Sequence, residues 1–222
     1  MKTKSNARKT RLIILAASLL ATAVLFAETT LTGDYNITGR FRTAGASAIP
    51  GSPLSIAMGN GTTASGINSA CAIGWFSSAG GQSAMAYGSV ASASGFCSTA
   101  IGSGVTASGS NSNAFGLEST ASGNYSVAFG NYTTANGTLS MAFGSNTTAS
   151  SYACLVVGQF NNAQTGQSTS AWTSTDDLFV IGNGTASNAT ANALVVSKNG
   201  NITMTKRQGD IIMGNFGNGG GD

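Results

Sequence analysis

Asp176-Asp177 is the one adjacent carboxylate pair in the chain, and such a pair could join a cation site. It sits just before the apolar run Leu178-Phe179-Val180-Ile181, where an acidic pair is more commonly a solvated loop ahead of a strand. The other candidates for chemistry are thinner. Histidine is absent, which removes the commonest general base and metal ligand together. Glu118 is the only charged residue between Ser55 and Thr165, so no nucleophile with its base can be assembled there. The many serines recur at a fixed period and read as fillers of a repeated framework. Gly-x-Gly strings are frequent, yet none opens a helix after a strand, as a phosphate loop requires. The tail Gly217-Asn218-Gly219-Gly220-Gly221-Asp222 resembles one copy of a calcium-binding nonapeptide, without a successor. These residues point to a protein that is not an enzyme, with no cofactor and no metal.

The first 27 residues have a different logic. Lys2, Lys4, Arg8, Lys9 and Arg11 precede an apolar run from Leu12 to Ala27, broken only by Ser18 and Thr22 and ending in small residues. That is the layout of a signal peptide, with cleavage expected at Ala27-Glu28 ahead of Ala23-Val24, and the run is shorter than the roughly 20 apolar residues of a membrane span. Its removal takes five of the ten Lys and Arg, leaving five basic against seven acidic residues, net −2. The remainder lacks the basic footprint that a nucleic-acid backbone would need, and no membrane span is expected in it. The odd cysteine count leaves at least one thiol of Cys71, Cys97 and Cys154 unpaired or intermolecular. All three read as small buried or interface residues.

The elements that would position any site are set by a short repeat. Glycine numbers 31 and proline only 2, so the glycines serve structure rather than random coil. Ala57-Met58-Gly59 recurs as Ala72-Ile73-Gly74, Ala86-Tyr87-Gly88, Ala100-Ile101-Gly102, Ala114-Phe115-Gly116, Ala128-Phe129-Gly130, Ala142-Phe143-Gly144 and Val156-Val157-Gly158. The first spacing is 15 and the later ones are 14. Seven residues after each leading position stands a second column: Ala64, Ala79, Ala93, Ala107, Ala121, Ala135, Ala149 and Ala163. A fixed short period signals a solenoid, here of eight coils over 55–167.

Each coil reads as two short strands and two turns. Alternation puts Ser, Ala and Gly of the first strand on one face and its large apolar residues on the other. A 14-residue coil brings its two sheets closer than the usual ~10 Å, so only small residues fit between them and the large apolar ones must face out. One outward column holds Met58, Ile73, Tyr87, Ile101, Phe115, Phe129, Phe143 and Val157; beside it run Ile56, Cys71, Met85, Thr99, Asn113, Val127, Met141 and Leu155. Phe115, Phe129 and Phe143 are expected to stack about 4.8 Å apart. Such a stripe exceeds what a monomer leaves bare, so something covers it. The other outward column, Thr63, Ser78, Ser92, Thr106, Thr120, Thr134, Thr148 and Asn162, suits water.

Around the repeats, 28–54 reads as an N-terminal β segment, alternating from Thr30 to Arg42, followed by a loop from Gly45 to Pro53. Residues 168–204 begin with a polar linker, Ser168 to Thr175, and continue as strands at Leu178 to Ile181 and Ala193 to Val196. A hairpin turn at Lys198-Asn199-Gly200-Asn201 then leads into Ile202 to Met204. A last short strand at Ile211-Ile212-Met213 gives way to a Gly-rich tail, 205–222 being set apart from the fold.

The units Asn124-Tyr125-Ser126-Val127-Ala128-Phe129-Gly130 and Ala121-Ser122-Gly123 resemble the head repeats of YadA-like trimeric autotransporter adhesins. The resemblance runs from Ser55 to about Thr165. It implies an all-β fold, a left-handed parallel β-roll that works as a homotrimer joined along the apolar stripe. The interface residues would be Ile73, Ile101, Phe115, Val127, Phe129, Met141, Phe143 and Leu155. It further implies an exported, non-catalytic protein at the cell surface or outside a Gram-negative bacterium, attaching to surfaces, cells or matrix through an unknown ligand. Those adhesins continue into a heptad stalk and a membrane barrel. No sustained apolar heptads are found in this chain, so the resemblance bears on fold and assembly more than on anchoring. Two other readings fit the solenoid: an ice-binding protein using the Thr/Ser column, and a fibre-type structural segment.

Overall fold

The structure, a computed structural model, describes residues 41–42, 47–48 and 55–204, all within the unit spanning Ile37–Asp222. The signal peptide expected at 1–27 with its cleavage point, most of the segment 28–54 and the tail 205–222 with its expected strand lie outside the described residues.

Alternating apolar and small residues produce strands throughout, and no helix occurs among the described residues. β1 (Phe41–Arg42) and β2 (Ser47–Ala48) come first. Seven pairs of a long and a short strand follow: β3 (Ile56–Asn60) with β4 (Thr63–Ala64), β5 (Cys71–Trp75) with β6 (Ser78–Ala79), β7 (Met85–Ser89) with β8 (Ser92–Ala93), and β9 (Thr99–Ser103) with β10 (Thr106–Ala107). The run continues as β11 (Asn113–Leu117) with β12 (Thr120–Ala121), β13 (Val127–Asn131) with β14 (Thr134–Ala135), and β15 (Met141–Ser145) with β16 (Thr148–Ala149). β17 (Leu155–Gln159), β18 (Asp177–Asn183), β19 (Asn192–Ser197) and β20 (Ile202–Met204) complete the order.

Strands one coil apart pair in parallel and in register, so the long strands build one sheet and the short strands another. Phe115 stands against Phe129, and Thr120 against Thr134. This is the parallel β-solenoid of 14-residue coils that the spacing predicts. Its interior consists of four columns of small side chains. The two alanine columns are fully buried from Ala57 to Ala142 and from Ala64 to Ala149. Between them lie Ser98, Ser112, Ser126 and Ser140 on one side, and Ser119, Thr133 and Thr147 on the other. The largest fully buried side chains are valines, which is the limit that so narrow a coil sets.

The glycine that closes each first strand departs from expectation. It does not fill the interior with Ala and Ser. Gly130 has φ 142°, and a Cβ there would stand 1.9 Å from the carbonyl oxygen of Gly144 on the next coil. The residue is glycine because two backbones meet along the stacking direction, in a conformation that L side chains rarely adopt.

Both ends of the roll differ from the reading of the sequence. At the start, β1 pairs with β3 and β2 with β4, so Ser47–Ala48 is a strand of the second sheet inside what reads as a loop. The offsets there, 15 and 16 residues, hide the coil from a search at 14. At the far end the eighth coil is half a coil, since no strand forms at Asn162-Ala163 and the second sheet ends on β16. Asn161 takes the place of the missing strand. Its side-chain Oδ1 accepts from the Thr148 N–H at 2.7 Å and its Nδ2 donates to the Thr148 carbonyl at 3.0 Å. An amide side chain thus satisfies backbone groups that an open edge would leave bare. After this insertion β18 rejoins the first sheet in parallel, and the hairpin β19–β20 adds two antiparallel strands. The expected turn is present, with the Gly200 N–H donating to the Ser197 carbonyl at 2.9 Å.

Candidate interaction surface

The first sheet presents its large apolar side chains outward, on a ladder that the backbone register fixes. Met58, Ile73, Tyr87, Ile101, Phe115, Phe129, Phe143 and Val157 follow one another strand by strand. Of the residues expected at an interface, Phe129 and Met141 are exposed in the single chain, while Ile73, Ile101, Phe115, Val127, Phe143 and Leu155 are half-buried by their neighbours along the stripe. None is core. The rings of Phe115 and Phe129 lie 6.0 Å apart at 47°, and those of Phe129 and Phe143 6.2 Å apart at 36°. That is wider than the strand repeat, because the rings tilt and offset as aromatic pairs do.

The stripe is longer than the 14-residue spacing shows. Phe179 stands against Leu155 and Ile181 against Val157, while Val180 is buried like Val156. The signal was present in Phe179-Val180-Ile181-Gly182, which copies Leu155-Val156-Val157-Gly158, but the 24-residue offset breaks the period.

Sequence reading also missed two columns of corners that flank the stripe. Directly after each long strand from β3 to β17 comes a residue with positive φ: Gly61, Phe76, Val90, Gly104, Glu118, Tyr132, Asn146 and Phe160. Two residues before each long strand from β5 to β17 comes another: Ser69, Ser83, Cys97, Asn111, Tyr125, Leu139 and Ala153. The left-handed turn lets each corner amide reach the previous coil, as when the Tyr132 N–H donates to the Leu117 carbonyl and the Leu139 N–H to the Asn124 carbonyl, both at 2.8 Å. Glycine and asparagine within the first column were the available clue. Cys97, on such a corner, is exposed rather than buried; Cys71 is half-buried beside the stripe, and Cys154 is buried in the serine column. Burial pushes the Cys154 thiol up to about 11, so it is an inert filler.

Asp176 and Asp177 do not form a solvated loop; both are buried. Lys198, from the hairpin, places its ammonium 3.8 Å from Asp176 Oδ2, with the rings of Tyr152 and Trp172 at 5.9 and 5.3 Å. The Asp176 carboxylate also accepts from the Ser168 N–H at 2.9 Å. Burial raises the Asp177 carboxyl above its ordinary range, and the neighbouring Asp176 adds to this against the opposing hydrogen bond from Gln167 and the charge of Lys198. The pair is a clasp between the insertion, the last coil and the hairpin. Among the described residues no group of three or more His, Cys, Asp or Glu gathers to hold a metal ion.

The family model for the YadA head domain repeat matches this chain in two copies, over residues 54–70, 107–133 and 135–152. Over those residues the coils are similar to YadA head domain repeats, the resemblance that the Ala-x-Gly units carry. Among curated proteins none matches the chain.

Proposed function

We propose that this chain is the head of an exported trimeric adhesin that attaches a Gram-negative cell to surfaces, cells or matrix without catalysis. The observation that carries the reading is the inverted pattern: the interior is all small residues, and the large apolar ones form a ladder on the outside. A second copy must cover that ladder, and the match to YadA head repeats favours three. The interface would run along Ile73, Ile101, Phe115, Val127, Phe129, Met141, Phe143 and Leu155. A rigid roll closed this way leaves the Thr/Ser column and the loops free for an outside ligand.

The test has two parts. Light scattering of the purified exported protein should give three chains per particle. The same protein should be retained on immobilised collagen or fibronectin and not on albumin. A monomer, or equal retention on all three coatings, refutes the proposal. Thermal hysteresis in the same sample would instead select the ice-binding reading.

A further inference from the structure

Lys198 is the only lysine among the described residues, and it stands where a lysine is hard to keep. Its side chain is fully buried, with 0% exposure. The ammonium nitrogen has no hydrogen-bond partner. Asp176 Oδ2 is 3.8 Å away, close enough to feel the charge but beyond a hydrogen bond. The rings of Tyr152 and Trp172 attract a cation, which replaces only part of a lost water shell. Asp177 does not fill the gap: burial dominates that carboxyl, and the charge of Lys198 is the least of the influences on it. An ammonium carries three N–H donors, and burying them without an acceptor is far more costly than leaving the pair in water. An ion pair alone does not account for that arrangement.

The backbone holds the two groups together whatever their charge. Asp177 pairs with Ser197 across the antiparallel strands β18 and β19, and next to this pair the Lys198 N–H donates to the Asp176 carbonyl at 2.9 Å. Asp176 and Lys198 are therefore cross-strand neighbours. The carboxylate is also fixed from the insertion, since its Oδ2 accepts from the Ser168 N–H at 2.9 Å. An N–H on that oxygen draws charge from the carboxyl carbon and stabilises the oxyanion formed when a nucleophile adds. A buried amine held beside such a carboxyl meets two conditions for condensation: a high effective concentration, and exclusion of the water that would reverse it.

We propose that Lys198 and Asp176 condense into an isopeptide, a covalent modification that fastens the hairpin β19–β20 to the start of β18. The step needs no oxidant and no further reactant. One proton passes from the ammonium to the carboxylate, leaving an amine and a carboxylic acid. The Nζ lone pair attacks Cγ, and the Cγ–Oδ1 bond breaks. Oδ1 departs as water, carrying that proton and a second one from Nζ. Oδ2 remains as the amide carbonyl and keeps the Ser168 N–H. Two buried charges become one neutral group with a single N–H donor left to satisfy.

The first test needs no variant. The purified full chain, denatured, should be lighter by one water than the sequence that begins at its measured N-terminus. A chymotryptic digest should contain one branched peptide joining the segment with Asp176 to the segment with Lys198, and trypsin should not cut after position 198. Lys198→Arg keeps the positive charge but offers no amine nucleophile, and Asp176→Ala removes the carbon that is attacked. Both variants should have their full mass, and trypsin should cut after position 198 in each. A wild type at full mass, with the β signal of a folded chain in circular dichroism, overturns the proposal. So does a water lost within a single peptide, as a succinimide at either aspartate, or a water loss that persists in Lys198→Arg. The outcome does not depend on the number of copies in the particle, so it stands apart from the trimeric reading.

Discussion

Replacing Phe129 with Asp attacks the stripe at its centre without touching the interior. Phe129 is 55% exposed in the single chain. With about 200 Å² for a phenylalanine side chain, roughly 110 Å² per copy remains for a partner to cover. At about 25 cal/mol per Å² that is about 3 kcal/mol per chain and roughly 8 kcal/mol for three. Since about 1.4 kcal/mol is a factor of ten, the trimer should weaken by more than roughly five orders of magnitude even before the desolvation of three carboxylates. Thr134→Asp is the control: Thr134 lies one strand later in the same coil, on the outer face of the second sheet, and stacks on Thr120 and Thr148. Light scattering across a dilution series should show a monomer for Phe129→Asp and an intact trimer for Thr134→Asp. Circular dichroism should show the same β signal for both. A wild type that is a monodisperse monomer, or two variants with equal effects, refutes the argument.

Three further outcomes follow from the interior and the clasp. Gly130→Ala puts a Cβ 1.9 Å from the Gly144 carbonyl and should lower thermal stability at least twice as much as Gly166→Ala, where φ is also positive but nothing lies within 4 Å; equal shifts would mean that the coils can part to admit a methyl. Ser126 buries a hydroxyl without a protein partner, and alanine fills the same column at Ala70 and Ala84. Ser126→Ala should therefore leave the melting temperature unchanged or raise it by the equivalent of about 1 kcal/mol, and a clear loss would show that the hydroxyl is satisfied. Asp177 has its carboxyl raised by burial, so the stability it confers is full below its unfolded value near 3.9 and is lost as pH rises through the folded one. Asp177→Asn should gain most over wild type at neutral pH and the advantage should vanish in acid; a difference that does not change with pH contradicts the assignment.

The repeating part of the fold was legible because each interior column tolerates so little. Eight alanines at the same place in successive repeats cannot be explained by surface drift, and once the coil is known to be narrow, Phe129 and Ile101 have only the outside to occupy. What escaped notice depended on geometry between coils rather than within them. Gly130 looks like an interior residue by alternation, and only the distance to Gly144 shows that its missing Cβ matters along the stack. Phe76 and Tyr132 look like ordinary surface residues, since nothing in a side chain announces a positive φ. Asp176 and Asp177 precede an apolar strand, as exposed loops often do; the lysine that buries them comes from 22 residues further along, in a hairpin whose docking no local pattern encodes.

The same separation decides where specificity can arise. Interior columns and the glycine ladder are constrained by neighbours at van der Waals distance on all sides, so a change at Ala128 or Gly130 is felt by the coils above and below. The stripe and the corners are constrained only by whatever covers them. The Thr/Ser column and the loop at its edge are constrained by neither, because Thr120, Thr134 and Thr148 face outward on strands whose backbone bonds are made regardless of side chain. A ligand surface placed there can change residue by residue without cost to the coil or to the proposed trimer's closure. The capping amide of Asn161 then has a role beyond tidiness: it ends the second sheet at β16, so that this freely variable face does not extend by adding strands from another roll.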